Sequence, residues 1–300
     1  MKLNELCLEI TNQCLLECIH CSSSSSPNQT NYLDRKTIFR VIDEFERLEG
    51  EELEISGGEP LLHPNIWEIL EYCKHKPFHT TLYTSGIAKE SIHELVRKID
   101  VDKVAVSLHG TRETTKEITG SDCYEKVKEF IKSLREKGRN VDIYFVLMKQ
   151  NYKDFEYLVE ECEKIKVENI KVLRLMPQGR ARENWEKIHL SELEVKEFLN
   201  RLYDVKTNIR IEIGNPFKLY LNERTICKAG INTCLINSNG DVYPCPALKT
   251  KHYLSAGNIH ENSLEDIWKK GFENLRNFKR MVKSSYCLAP WIVNPEDIIA

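Results

Sequence analysis

Three cysteines in the segment TNQCLLECIHCSS, Cys14, Cys18 and Cys21, stand at Cys-x3-Cys-x2-Cys spacing. Thiolates at such intervals suit an iron–sulfur cluster or zinc. A [4Fe–4S] cluster ordinarily takes four, so three leave one iron open, whereas zinc would need His20 or a distant cysteine as fourth ligand. A second group, Cys227, Cys234, Cys245 and, far downstream, Cys287, supplies four thiolates, a full set for a cluster or a structural zinc. Ser56-Gly57-Gly58-Glu59-Pro60 joins two glycines that permit close backbone approach to a carboxylate able to accept from an ammonium group. Tyr83-Thr84-Ser85-Gly86, Ser107-Leu108-His109-Gly110 and Leu175-Met176-Pro177-Gln178-Gly179-Arg180 each close a strand-like run, and Ser and Gly alone there are simple turn formers. His109 fits equally a substrate ligand, an acid–base group or a solvated loop residue.

These residues need a frame. CLEIT (7–11), LEISG (53–57), TTLYTSG (80–86), VAVSLHG (104–110), IYFVLM (143–148) and IKVLRLM (170–176) read as six strands, each followed by a helical pattern. Between the first two, Ile38, Val41, Ile42, Phe45 and Leu48 recur at helical spacing and Gly50 supplies a stop. Strand–helix alternation of this kind predicts a parallel sheet covered by helices, because parallel neighbours need crossovers. The fold class is α/β, a partial (β/α)6 barrel of TIM type over residues 1–206. The Cys14 loop then lies at the barrel's C-terminal mouth, where such folds place their chemistry. Ser191 and Glu194 read as a capping box opening the helix that closes this unit. From 207 to 300 a smaller hairpin-plus-helix domain is expected, with Asn239-Gly240 as the hairpin turn and a final helix from Ser263 to Lys283. The pentaserine Ser22–Ser26 reads as a flexible loop. Cys73 and Cys162 fall on apolar helix faces as small hydrophobes, and Cys7 and Cys123 read as structural too.

At 300 residues with 41% hydrophobic and 30% charged content, the chain is long enough to bury a barrel-sized core. Its 43 Lys and Arg are interspersed with 46 Asp and Glu for a net charge of −3, so charge argues for neither a nucleic-acid nor a membrane partner. No signal peptide or membrane-length apolar run is seen, which points to the cytosol. In that reducing compartment eleven cysteines suggest metal ligation or thiol chemistry rather than disulfides.

The cysteine loop and the GGEP segment one βα unit downstream together resemble the signature of the radical S-adenosylmethionine (SAM) superfamily. The resemblance implies a [4Fe–4S] cluster on Cys14, Cys18 and Cys21 whose open iron binds SAM. It further implies that Gly57, Gly58, Glu59 and Pro60 meet the methionyl amino group, that Thr84, Ser85 and Ser107 meet the ribose and carboxylate, and that His20 and Met176 lie by the adenine. The common Asn and Arg of the first cysteine gap are replaced by Leu15 and Glu17, neither of them a ligand. Cys227-x12-Gly240-x4-Cys245 and GNIHENSLEDIW (257–268) are similar to the SPASM and twitch extensions of the same superfamily, which bind auxiliary clusters. With only Cys287 after Cys245, one auxiliary iron–sulfur cluster, of [4Fe–4S] type on Cys227, Cys234, Cys245 and Cys287, is expected, although Cys287 also suits a thiol hydrogen donor.

The implied activity is reductive cleavage of SAM to a 5′-deoxyadenosyl radical, driven by a flavodoxin- or ferredoxin-like reductant. Modification of a ribosomally made peptide or protein side chain by crosslinking, oxidation or epimerisation is the first expectation. Oxidation of a small molecule such as a sugar alcohol is the second, and a non-catalytic iron–sulfur carrier or zinc-binding protein is the third. Because the chain opens directly on the first barrel strand, a leader peptide is expected to bind a separate protein or the barrel itself. No residue type singles out a catalytic acid, base or hydrogen donor.

Overall fold

The structure is a computed structural model that describes residues 2–221, 223–249, 252–282 and 287. Strands and helices alternate as β1 (Glu5–Glu9), α1 (Arg35–Arg47), β2 (Glu52–Ser56), α2 (Ile66–Lys74), β3 (His79–Thr84), α3 (Ile92–Lys98) and β4 (Lys103–Ser107). They continue through α4 (Arg112–Thr119), α5 (Tyr124–Glu136), β5 (Val141–Leu147), α6 (Phe155–Lys164) and β6 (Asn169–Arg174). Each of the first six strands pairs in parallel with the next. α1 shows why the local sequence complies: the Asp34 carboxylate accepts from the backbone N–H groups of Lys36 and Thr37, satisfying donors that the first turn leaves unpaired. The helix then buries Ile38, Val41, Ile42 and Phe45.

Period-two alternation divides each strand between two environments. Leu6, Leu8, Leu53, Ile55, Val104, Val106, Ile143 and Phe145 pack into the core under the helices. Residues of opposite parity are largely polar and meet inside the curved sheet, where Tyr83 Oη donates to Glu54 Oε1 at 2.6 Å and stands 3.1 Å from Tyr144 Oη. The barrel thus has an apolar wall and a polar lumen.

Short helices α7 (Arg180–Glu183) and α8 (Trp185–Ile188) lead to α9 (Glu192–Leu202), which opens on the capping box of Ser191 and Glu194. After it the sheet continues beyond the six barrel strands. β7 (Arg210–Ile213) pairs in parallel with β6, and β8 (Thr233–Ile236) pairs in parallel with β1. With β9 (Val242–Tyr243) antiparallel to β8, the described residues form one nine-stranded sheet in the order β7-β6-β5-β4-β3-β2-β1-β8-β9. A six-stranded open sheet would leave unpaired backbone groups on both edges, and the chain beyond residue 206 covers both. β7 and β9 remain as edges, so the barrel is open.

The hairpin turn falls at Asn237–Asp241, as Asn239-Gly240 predicts, with Gly240 at φ +88°. The expected final helix is interrupted: α10 (Leu264–Asp266) passes into a π-helical turn, Ile267–Gly271, before α11 (Glu273–Val282). Gly271 lies at this bulge, where a Cβ would stand 2.6 Å from that of Ala256. The predicted end of that helix, Lys283, lies outside the described residues.

Candidate functional site

The Cys14–Cys21 segment leaves β1 and runs across the strand ends with little regular structure, so its backbone groups need partners elsewhere. Cys14 N donates to Ser26 O at 3.1 Å, Cys21 N to Cys18 O at 3.1 Å and Ile19 N to Ile118 O at 2.9 Å. The glycines of the β2 loop clamp its start: Gly58 N donates to Thr11 O at 2.7 Å and Glu59 N to Gln13 O at 2.8 Å. A Cβ on Gly57 or Gly58 would come within 2.3 Å of the Thr11 or Gln13 carbonyl oxygen, so these positions accept only glycine without displacing the cysteine loop.

Arg180, just past β6, clamps the other end. Its Nε donates to Cys18 O at 2.9 Å, its Nη2 to Ser25 O at 2.6 Å, and its backbone N to Cys21 O at 3.0 Å. The preceding Gly179 permits this approach, since a Cβ there would lie 2.6 Å from Cys21 O. Arg180→Ala is expected to weaken unfolding stability by about 2–3 kcal/mol, the worth of lost charge-assisted bonds to buried carbonyls. Arg180→Lys should restore little, because only the guanidinium fork spans both acceptors. Denaturant titration of the two variants checks this.

Above the strands a cavity of about 430 Å³ opens, lined by Cys14, Cys18 and Cys21 together. Its wall includes His20, Gly57, Gly58, Thr84, Ser85, Ser107 and Met176. Glu59 and Pro60 do not reach it. Pro60 starts a buried single-turn helix, and the Glu59 carboxylate, expected to accept from an ammonium group, is spent on β3. Its Oε1 accepts from Thr84 Oγ1 at 2.6 Å, and its Oε2 from Ser85 N at 2.8 Å and Ser85 Oγ at 2.6 Å. Burial raises the Glu59 pKa against these bonds, and the carboxyl braces the residues that do face the cavity. The pentaserine is part of the wall rather than a free loop: Ser22, Ser23 and Ser25 line the cavity, and Ser26 carries the Cys14 bond.

Five buried polar atoms on cavity-lining residues have no protein hydrogen-bond partner: His20 Nδ1, Ser25 Oγ, His109 Nδ1, Thr115 Oγ1 and Arg174 Nη1. Buried polar groups are almost always paired, so this concentration marks a wall built to meet a polar ligand. His109 is buried rather than a solvated loop residue, and its ring meets His20 edge-on at 4.7 Å between centroids. Burial, reinforced by the Arg180 charge, pulls the His20 pKa down to about 4, and burial, then His20, holds that of His109 well below the usual imidazole range. Both imidazoles are therefore neutral at pH 7, each offering one donor and one acceptor.

The three thiols fit a cluster. Burial pushes Cys14 up to about 12 and Cys18 higher, so both are protonated until a metal displaces the proton. Among the described residues no three His, Cys, Asp or Glu side chains converge closely enough to hold a single metal ion. Cys123, read as structural, also reaches the cavity wall.

Of the second group, Cys245 and Cys287 pack against Leu248 beside Met176. The field of Cys227 adds to the burial that raises Cys245 to about 12, and Lys279 Nζ donates to Cys227 Sγ at 3.3 Å. An ammonium against that sulfur suits a metal-bound thiolate. Cys234 is not brought to the others. It lies in the main apolar core, fully buried, because in β8 its parity is opposite to that of Leu235, which faces Cys7.

Comparison with known proteins was made on this geometry. Residues 8–162 match the radical SAM superfamily, and residues 227–289 match SPASM, an iron-sulfur cluster-binding domain. Mycofactocin maturase MftC of Mycobacterium tuberculosis is 27% identical over 289 residues, covering 90% of this chain and 72% of that protein. The AdoMet-dependent heme synthase of Methanosarcina barkeri is 26% identical, covering 91% and 83%. Among solved structures, Streptococcus suis SuiB bound to S-adenosylmethionine superposes with a TM-score of 0.75 at 20% identity. That superposition covers 89% of this chain and 65% of SuiB, so the chain spans about two thirds of SuiB's length. SuiB bound to its precursor peptide SuiA gives 0.73 at 22% identity, covering 89% and 64%. No helix of the described residues is long and apolar enough to cross a membrane.

Proposed function

Since the chain belongs to the radical SAM superfamily, we propose that it cleaves S-adenosylmethionine reductively at the Cys14/Cys18/Cys21 cavity and uses the radical to modify a ribosomally made peptide. The observation that carries this reading is one cavity that gathers three thiols, glycine-backed carbonyls and five unpartnered buried polar atoms. Cys14, Cys18 and Cys21 would hold a [4Fe–4S] cluster, and residues through 206 would form the unit that carries it. Once loaded, the site supplies one-electron cleavage of SAM to methionine and a 5′-deoxyadenosyl radical that abstracts hydrogen.

The protein's own residues bind and orient. Gly57 and Gly58 let backbone reach the methionyl end, Thr84, Ser85 and Ser107 offer hydroxyls to the ribose and carboxylate, and Glu59 holds two of these in place. His20 and Met176 border the adenine, and neutral His109 and Thr115 supply hydrogen bonds that charged groups would make costlier to desolvate. The unit from 207 to 300 would hold one auxiliary cluster on Cys227, Cys245 and Cys287. Cys234 is left out because its thiol is committed to the core.

A peptide substrate is favoured because a mycofactocin maturase shares 27% of its residues across most of both chains and SuiB is known bound to a precursor peptide. The polar lumen gives a side chain room to approach. A ferredoxin- or flavodoxin-like cytosolic reductant and a separate leader-binding protein complete the proposal.

The test is anaerobic reconstitution with iron and sulfide, reduction with dithionite and addition of SAM. Formation of 5′-deoxyadenosine is expected. Intact clusters that yield none would leave an electron carrier or a metal-binding scaffold, and an oxidised metabolite in place of a modified peptide would favour the small-molecule reading.

A further inference from the structure

A buried ion pair ties the auxiliary segment to the cysteine loop. Lys249 lies four residues after Cys245, and its Nζ donates to Glu9 Oε1, on the last residue of β1, and to Ser23 Oγ at 2.5 Å. Ser23 Oγ in turn donates to Glu9 Oε1 at 3.0 Å and stands two residues after Cys21. Glu9 and Lys249 are both buried. All three side chains line the large cavity, and they also line a second, polar cavity of about 180 Å³ on the far side of the serine run. They therefore form the partition between the two spaces.

Burying an ion pair is costly, and well-packed apolar residues of similar volume commonly serve stability as well or better. A charged pair at this partition accordingly points to a use for the charge. Cys21 lines the same cavity, and the Glu9 carboxylate keeps Lys249 protonated against the cost of burial. A cluster on Cys14, Cys18 and Cys21 gains one negative charge when it accepts an electron from a reductant of the ferredoxin class. An ammonium close by stabilises that reduced form, and a carboxylate opposes it.

We propose that Lys249, delivered from the auxiliary segment and held by Glu9 and Ser23, is a positioning residue that seats the loop after Cys21 and makes the SAM-site cluster easier to reduce. The inference rests on the proposed assignment of that cluster to Cys14, Cys18 and Cys21. It makes reduction at one site depend on the fold of the other, because the five residues from Cys245 to Lys249 carry both a candidate auxiliary ligand and the ammonium.

The experiment is redox titration of the reconstituted full chain, read by the electron paramagnetic resonance signal that SAM perturbs, for wild type, Lys249→Met, Lys249→Arg and Glu9→Gln. Lys249→Met should make one-electron reduction at least tenfold less favourable, a negative shift of about 59 mV or more. Glu9→Gln should shift the potential the other way, and Lys249→Arg should stay near wild type. A merely structural latch would move the Met and Gln variants in the same direction, because both break the same pair, and that result overturns the proposal. Should Lys249→Met fail to fold, the sign of the Glu9→Gln shift decides alone: a zero or negative shift overturns it. A wild-type chain without the SAM-perturbed signal sinks the functional reading and this inference together. A wild-type signal with unshifted variants sinks the inference alone.

Discussion

Replacing Cys14, Cys18 and Cys21 together by Ala is expected to abolish 5′-deoxyadenosine formation, a loss of at least about a thousandfold in a reaction with no comparable uncatalysed route. Iron content should fall by one cluster's worth while the auxiliary iron remains. The two losses are separable because the thiols occupy different places: the first three line the large cavity, whereas Cys245 and Cys287 pack around Leu248. The fold should survive, since the segment is held chiefly through backbone groups and Arg180 rather than through sulfur. Iron analysis and thermal unfolding of the triple variant check both halves. Loss of all iron would contradict two independent sites.

Gly58→Ala is expected to remove SAM binding almost as completely, through geometry alone. The added methyl would stand 2.3 Å from Gln13 O and 2.7 Å from Gln13 C, both backbone atoms with no side-chain freedom to yield. The loop must shift, and overpacking of this kind costs about 1–3 kcal/mol. Gly120→Ala is the control. Its φ of +72° also disfavours a side chain, but nothing lies within 4 Å, so only the left-handed conformation, about 1–2 kcal/mol, is penalised. Equilibrium dialysis with SAM should separate them: Gly120→Ala binds as wild type despite comparable destabilisation, and Gly58→Ala does not.

The elements that position the site were legible because each is a local pattern. Ile38, Val41, Ile42 and Phe45 announce α1 by spacing, and the alternation of six strands with helices implies the parallel sheet. The cysteine loop was legible for the same reason, with three cysteines inside eight residues. What escaped is what depends on residues far apart. β8 reads as half of a hairpin, but its parallel pairing with β1 joins Leu6 to Cys234 without any local signature. Cys234 looked like one thiolate of four because spacing does not reveal which face of a strand a residue takes. The Arg180 fork, the saturated Glu59 carboxylate and the Lys249 pair were invisible for the same reason, since their partners lie 25 to 240 residues away. The serine run reads as loose by composition, yet its backbone oxygens are among the acceptors that hold the cysteine loop.

The pairing of β1 with β8 also sets a timetable for the chain's synthesis. Glu5 meets Thr233 across 228 residues, from position 5 to position 233, and at about 5–20 residues per second a ribosome needs roughly 10–45 s to make that stretch. During that interval β2 can dock on one side of β1, but its other edge has no partner, and an open strand edge recruits strands from other chains. A nascent chain of this protein is therefore most exposed to misassembly before residue 236 emerges, and a truncation ending near residue 206 should aggregate where the full chain does not.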